Sequence, residues 1–149
     1  MIHHASTVTA EPPVEPITLA EAKTHLRVEV EDDDAYIEGL ISAARIWCEN
    51  WTGRKFIEQR VETRFDHFPV GTRPLRLPWG DVRSVISVEY VDSAGEVQVW
   101  GAASYQVDTV SKTARLAPAW GVSYPSVRWG ALGAVRVTYL AGYAPSSES

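Results

Sequence analysis

The apolar residues of this chain change their period once, at Gly53, and that change limits what the chain can fold into. Before it, from Ile37 to Trp51, apolar side chains recur three and four residues apart, as on an α-helix with one buried face. After it, from Ile57 to Phe65, apolar and polar residues alternate, which is the period of a half-buried strand. Gly53 itself suits the left-handed residue that ends a helix. The sequence therefore predicts a helical segment followed by a β-sheet.

The helical segment divides into two helices. Thr18 and Glu21 form a capping box, which predicts that a short helix starts at Thr18 and ends near Arg27. The acidic run Glu31–Asp34 then places carboxylates where they would cap a second, longer helix and complement its dipole. We expect the apolar face of that second helix to pack onto the sheet. Its members are Ile37, Leu40, Ile41, Ala44, Trp47 and Cys48.

The rest of the chain reads as short strands separated by turns. Asp92–Gly95, between two alternating runs, is the best hairpin signal. A long loop rich in Pro, Gly and Trp runs from Ala117 to Gly133, and loops of that length tend to be functional or disordered. The predicted fold class is therefore α+β: an N-terminal two-helix segment followed by an antiparallel β-sheet module with long loops. The further strands are predicted at Leu75–Leu77, Val85–Val91, Val97–Trp100, Tyr105–Val107, Ala114–Leu116 and Val135–Tyr139.

A chain of 149 residues with 45% hydrophobic content can bury one core, so we expect a single domain. Residues 1–16 hold three prolines and few apolar side chains, which is typical of a flexible arm. The domain is predicted over 17–144, with the helices at about 18–53 and the β module at about 56–144. A loose tail is predicted at 145–149.

The composition argues against several classes of function. The only cysteine, Cys48, excludes an internal disulfide framework and any multi-cysteine zinc site. The run from Glu29 lacks the glycine of a calcium-binding loop, because Asp34 stands at the sixth position. No nucleophile elbow, phosphate loop or dinucleotide fingerprint is present. We therefore expect no enzyme activity, no catalytic residues, no metal and no cofactor.

Charge and hydropathy bear on the partners. The formal net charge of −5 argues against tight, sequence-independent binding to a phosphate backbone. The sequence has neither the pattern of a secretion signal nor an apolar run long enough to span a membrane. We expect a soluble, non-secreted protein that does not contact a membrane.

Two groups of residues are candidates for an interaction surface. The basic group lies in the middle of the chain, and such charge asymmetry often marks a surface that meets a partner or another copy, although an ordinary polar strand face is the alternative. It comprises Arg54, Lys55, Arg60, Arg64, Arg73 and Arg76. The second group is aromatic: Trp120, Tyr124 and Trp129 lie in the long loop, where they are either interface anchors or core residues.

Taken in order, several motifs resemble the phage head-tail connector (adaptor) family. They are the Leu-Ala-Glu-Ala-Lys-Thr-His-Leu helix at 19–26, the Asp-rich link at 31–34 and the long helix ending Trp-Thr-Gly-Arg at 51–54. Later matches are Val-Glu-Tyr-Val-Asp at 88–92, Tyr-Gln-Val-Asp at 105–108 and the segment at 135–143. The resemblance covers roughly residues 16–145, and the order of the motifs carries it.

The resemblance implies a structural virion protein rather than an enzyme. Such a subunit assembles with itself as a twelve-fold ring beneath the portal protein, links the capsid vertex to a stopper or tail-completion protein, and extends the DNA channel. Double-stranded DNA would pass through the lumen without specific binding, since a neutral or acidic wall lets the duplex slide. The expected location is the head-tail interface of the virion, after assembly in the host cytoplasm. The alternatives are a stopper or tail-completion protein, and a DNA-packaging accessory that binds nucleic acid.

Overall fold

The computed structural model describes residues 4–143. It has two helices, α1 (Leu19–Leu26) and α2 (Asp34–Thr52), and a 3-10 turn at Ala102–Ser104. The strands are β1 (His4–Ala10), β2 (Gln59–Phe65), β3 (Leu75–Arg76), β4 (Val82–Val91), β5 (Val97–Val99), β6 (Tyr105–Asp108), β7 (Arg115–Pro118) and β8 (Val135–Ala141). The α+β class predicted from the sequence is confirmed.

The strands form two antiparallel sheets. The larger has the order β1-β2-β8-β4-β5, and the smaller has the order β3-β7-β6. Both contribute to one apolar core, to which β2 and β8 present every second residue, as their alternation requires. The core residues are Val61, Phe65, Phe68, Leu75, Leu77, Val82, Val88, Trp100, Ala114, Leu116, Val135, Val137, Tyr139 and Ala141.

Local sequence signals set the ends of the helices. The Thr18 hydroxyl accepts from the Glu21 amide and the Glu21 carboxylate accepts from the Thr18 amide, so the predicted capping box is present. Arg27 ends α1 in the left-handed region at φ 58°, and Gly53 ends α2 at φ 66°. The acidic run differs from expectation, because the Asp33 side chain makes no cap hydrogen bond. Asp34 instead forms an ion pair with Lys23 that joins the two helices.

The N-terminal region differs from the flexible arm expected at residues 1–16. His4–Ala10 forms β1 and pairs antiparallel with β2, so that Val8 lies opposite Val61. The Ser6 and Thr63 hydroxyls are 2.8 Å apart and add a side-chain hydrogen bond. The physical reason is that β2 has an open edge whose backbone groups need partners, which a short polar strand can supply. The loose tail predicted at 145–149 lies outside the described residues.

A close backbone approach and a hydrogen-bonded turn are found at the ends of strands in the larger sheet. Gly142 has φ 107°, and a Cβ placed there would lie 2.4 Å from the Ile57 carbonyl oxygen, so only glycine fits this crossing. At the β4–β5 turn, the Asp92 carboxylate accepts from the amides of Ala94 and Glu96.

Over residues 4–143, neither helix combines the length and apolar character that a membrane crossing needs.

Candidate functional site

An open apolar groove of about 610 Å³ lies between the helices α1 and α2, which together form a helical hairpin. The first helix has no buried residue, and its Leu26 is exposed beside the groove. Since an unfilled apolar groove leaves surface in water that a partner would cover, this is the first candidate interaction surface. Its lining is Pro16, Ile17, Glu21, Ala22, His25, Leu26, Ile37, Leu40, Ile41, Ala44, Arg45, Cys48 and Phe56.

The six residues expected to pack α2 onto the sheet do not form one buried face. Ile37 is buried, while Ile41 and Cys48 are half-buried in the groove. Leu40, Ala44 and Trp47 are exposed, Leu40 at 47% and Trp47 at 66%. The expectation was therefore wrong for these three, because the apolar stripe of α2 is wider than the strip that contacts the rest of the chain.

A stacked pair of tryptophans ends this exposed stripe. The Trp47 and Trp51 rings are parallel, with centroids 6.0 Å apart, and Trp51 is 80% exposed. Tyr36 and Leu40 lie one turn apart on the same stripe, nearer the start of α2. Large exposed aromatic residues of this kind are frequent anchors of protein–protein interfaces.

The side of α2 that faces the protein buries an ion network. Glu49 is fully buried and accepts hydrogen bonds from Arg45, Lys55 and Gln59. It also accepts from the Phe56 amide at 3.0 Å, so its two oxygens are well satisfied. A buried carboxylate needs such partners, because taking the charge out of water is costly. Glu49 therefore ties α2 to the start of the β module.

Arg45 extends the network to the segment before α1. Its guanidinium lies 2.7 Å from a carboxylate oxygen of Glu15 and 3.5 Å from one of Glu11. Burial disfavours the ionised carboxylate of Glu15 and would raise its pKa. The hydrogen bonds from Arg45 and Ser42 outweigh this effect and keep the pKa of Glu15 below its ordinary value. For Arg45, burial is likewise outweighed by Glu15, Glu49 and Glu11, so the pKa of its guanidinium is raised.

The sequence analysis overlooked this network, although the chain carries a signal for it. Arg45 and Glu49 continue the four-residue steps of Ile37 and Ile41 along one face of α2. A charged pair spaced i,i+4 on an otherwise apolar face predicts a buried ion pair. The role of this pair is to position the hairpin.

The six basic candidates do not form one patch. Lys55 is buried against Glu49, with its ammonium 4.0 Å from the centre of the Trp79 ring. Arg54 contacts Asp81 and the Tyr143 hydroxyl. Arg60 and Arg64 lie on the exposed face of β2, where Glu62 pairs with Arg64 at 2.7 Å.

The remaining two, Arg73 and Arg76, lie on or next to β3 of the smaller sheet, where Arg76 stands opposite Arg115. The basic residues are thus clustered in sequence but divided in space. Several have carboxylate partners, so no single concentrated positive surface results.

The aromatic candidates of the long loop also lie in different environments. Tyr124 stacks on Phe68, with ring centroids 4.8 Å apart, and its hydroxyl lies within hydrogen-bond distance of the Leu116 carbonyl. Burial raises the pKa of Tyr124. Trp120 and Trp129, in contrast, are fully exposed. Tyr124 therefore packs against the core, and the two tryptophans remain candidates for contact with a partner.

Comparison with known proteins gives a match to a family model over part of the chain and a shared fold. Residues 16–75 match the family model described as phage gp6-like head-tail connector protein. The predicted resemblance is therefore confirmed over a segment that holds both helices, β2 and the first residue of β3. No curated protein matches the chain.

Solved structures share the fold over nearly the whole chain. One is a chain of the virion of a native gene transfer agent (GTA) particle, at TM-score 0.71 and 24% identity, covering 93% of this chain and 72% of that chain. Another, from the neck of an empty GTA particle computed with C6 symmetry, has the same TM-score and identity and covers 94% and 72%. A third, from the neck of a native GTA particle computed with C12 symmetry, has TM-score 0.61 and 22% identity and covers 97% and 70%. These likenesses show a common fold.

Proposed function

We propose that this chain, whose residues 16–75 match the phage gp6-like head-tail connector family, is an adaptor subunit of the neck of a tailed particle. In this role it forms a ring beneath the portal and links the capsid vertex to the tail. The observation that carries the proposal is the family match over both helices, joined to a fold shared with chains of GTA virions and necks. The place of action is the head-tail interface of the virion.

A ring of twelve copies is the assembly we infer. The neck of the native GTA particle was computed with C12 symmetry, and its chain covers 97% of this one. A closed ring is built from heterologous contacts, so each subunit must present two different complementary surfaces. The exposed groove between α1 and α2 and the exposed tryptophans of the long loop are two such surfaces at different places in the fold.

The proposed partners are the portal on one side and a stopper or tail-completion protein on the other. DNA passes through the lumen and is not held there. The charge distribution supports this, because Arg64 and Arg136 on the exposed face of the larger sheet both contact Glu62. Paired arginines release few counterions from a duplex, so they add little to affinity for it. The role asks for no catalytic chemistry.

The experiment that tests the proposal is the native mass of the purified chain, alone and mixed with the portal protein of the same particle. A gain equal to twelve subunits on the portal supports the adaptor. Absence of association in every mixing order contradicts it and favours the stopper or tail-completion protein, the second candidate.

A gel-shift titration tests the third candidate, a DNA-packaging accessory that binds nucleic acid. We expect the chain to leave the electrophoretic mobility of a DNA duplex unchanged at low ionic strength. Binding that weakens steeply with added salt would favour the accessory.

A further inference from the structure

One tight turn of the loop between β7 and β8 presents an indole to solvent. In Arg128–Ala131 the Ala131 amide donates to the Arg128 carbonyl at 3.4 Å, and Gly130 has φ 73°. A glycine with positive φ at the third position of a hydrogen-bonded turn is typical of type II. Trp129, at the second position, is 98% exposed, and Leu132 just beyond the turn is also exposed.

This turn is fixed to the β module at both ends. The Arg128 amide donates to the Val91 carbonyl at 2.9 Å, and the Gly133 amide donates to the Asp66 carboxylate at 2.8 Å. An anchored turn holds its side chains in place before any partner arrives, so little conformational entropy is lost on binding. Trp129 is thus a preorganised apolar knob that nothing in residues 4–143 covers.

The same loop supplies a matched reference. In Ala119–Val122 the Val122 amide donates to the Ala119 carbonyl at 3.0 Å, and Gly121 has φ 76°. Trp120 occupies the second position of this turn and is as exposed as Trp129. The two turns differ in charge, since Arg128 is the only charged residue from Ala117 to Ala134.

The groove between α1 and α2 is complementary to the Trp129 turn in chemistry and in charge. Its lining is mainly apolar, with Leu40, Ile41 and Cys48 contributed by α2. The lining also contains Glu21, His25 and Arg45, and the charge of Arg45 is balanced by Glu15 and Glu49. Along the hairpin as a whole, carboxylates outnumber basic residues, and they include the acidic run before α2. A cationic, apolar turn therefore fits an apolar groove in an acidic setting.

The occupant that these features favour is a second copy of the chain. The knob and the groove lie on different parts of one subunit, which is the arrangement that a ring of identical subunits needs.

We propose that the Arg128–Ala131 turn of one subunit, with Trp129 and Leu132, inserts into the groove between α1 and α2 of a second copy. The inference rests on the proposed ring and specifies its subunit contact. Trp129 is the central anchor, Leu132 extends the apolar contact, and Arg128 faces the carboxylates of the neighbouring hairpin.

Cross-linking tests the contact directly, because the groove already contains Cys48. The full-length Trp129→Cys variant is treated with a short bismaleimide at high protein concentration, without portal. We expect a ladder of intermolecular products that disappears in Trp129→Cys/Cys48→Ala. Trp120→Cys, with the same exposure and turn geometry, is expected to give no ladder. A Trp129→Cys ladder that persists without Cys48, or an equal ladder for Trp120→Cys, would overturn the proposal.

Sedimentation equilibrium gives an independent reading. Trp129→Ala is expected to raise the dissociation constant between subunits at least about 30-fold, as loss of a central aromatic anchor does, and Trp120→Ala is expected to leave it unchanged. Both variants should melt like the parent chain, because both side chains are exposed. An unchanged dissociation constant for Trp129→Ala overturns the contact.

The portal-mixing experiment separates this inference from the proposed function. Twelve subunits bound to the portal, with no Trp129–Cys48 product, would leave the adaptor role standing and overturn this contact. A Trp129–Cys48 ladder without portal association would support the contact and contradict the adaptor role.

Discussion

The β module and the helical hairpin bury different kinds of residue. All fourteen residues of the apolar core lie between Val61 and Ala141, and neither helix contributes one. Of the three residues that α2 buries, two are the charged Arg45 and Glu49. The β module is thus held by apolar burial, whereas the hairpin is attached through an ion network and leaves much of its apolar surface open. A hairpin built in this way is suited to gain its apolar contacts from a neighbour.

The largest effect is expected from breaking the attachment of the hairpin. Glu49→Ala leaves Arg45 and Lys55 buried without their shared carboxylate, which should lower the free energy of unfolding by about 3–5 kcal/mol. Chemical denaturation of the dilute chain measures it. Glu58→Ala, which removes a partly exposed pair with Arg83, is the control and should cost less than about 1 kcal/mol. Equal losses would show that the network does not hold the hairpin.

The next test compares one leucine from each region. Leu116 is fully buried in the core, so Leu116→Ala should lower the free energy of unfolding by about 2–5 kcal/mol. Leu40→Ala should cost less than about 1 kcal/mol, because Leu40 is 47% exposed. Both are measured by denaturation at concentrations too low for assembly. A loss for Leu40→Ala as large as that for Leu116→Ala would mean that the apolar face of α2 is part of the fold's own core.

The contrast between these two leucines also explains how far the sequence could predict the fold. Local signals gave correct element ends, because Thr18 with Glu21 and the glycine after α2 act within a few residues of themselves. The helical period identified an apolar face on α2, but a period does not say which neighbour covers that face. Leu40 and Trp47 were therefore assigned to a core that they do not enter.

Features that depend on distant partners were the ones missed. β1 is a short, mostly polar strand followed by prolines, so it resembles a flexible arm until the open edge of β2 is known. Tyr124 could not be separated from Trp120 and Trp129 by composition, because its burial depends on Phe68, more than fifty residues earlier in the chain. The basic candidates were neighbours in sequence only, since β2 and β3 belong to different sheets.

A smaller effect is expected at the start of the hairpin. Thr18→Ala removes the capping box of α1 and should cost about 1 kcal/mol. Because α1 has no buried residue, the loss should appear as faster hydrogen exchange in α1, with the amides of β8 unchanged. Thr24→Ala, in the same helix but away from the cap, should not accelerate exchange. Equal acceleration by both variants would indicate that the cap stabilises α1 no more than the hydrogen bond from the Thr24 hydroxyl to the Ala20 carbonyl does.

The smallest effect is a dependence on pH at the ion network. The pKa of Glu15 is lowered in the folded chain by Arg45 and Ser42 against the opposing effect of burial, so the folded state favours its ionised form. The resulting stabilisation is complete above the unfolded pKa of about 4.3 and is lost as the pH falls through the lower, folded pKa. Glu15→Gln should therefore cost about 1 kcal/mol or less at pH 7, and the difference from the parent chain should shrink below about pH 4.

Glu11→Gln is the matched control for this pH dependence. Glu11 lies 3.5 Å from Arg45, but its side chain is 70% exposed, so the substitution should change little at any pH. Denaturation curves of both variants from pH 3 to pH 7 measure the difference. A cost for Glu15→Gln that stays constant across this range would show that Glu15 acts through packing rather than charge. The segment before α1 would then be held to the hairpin by packing, as the β module is. Of the charged contacts in the network, only those of Glu49 would then distinguish the hairpin from the β module.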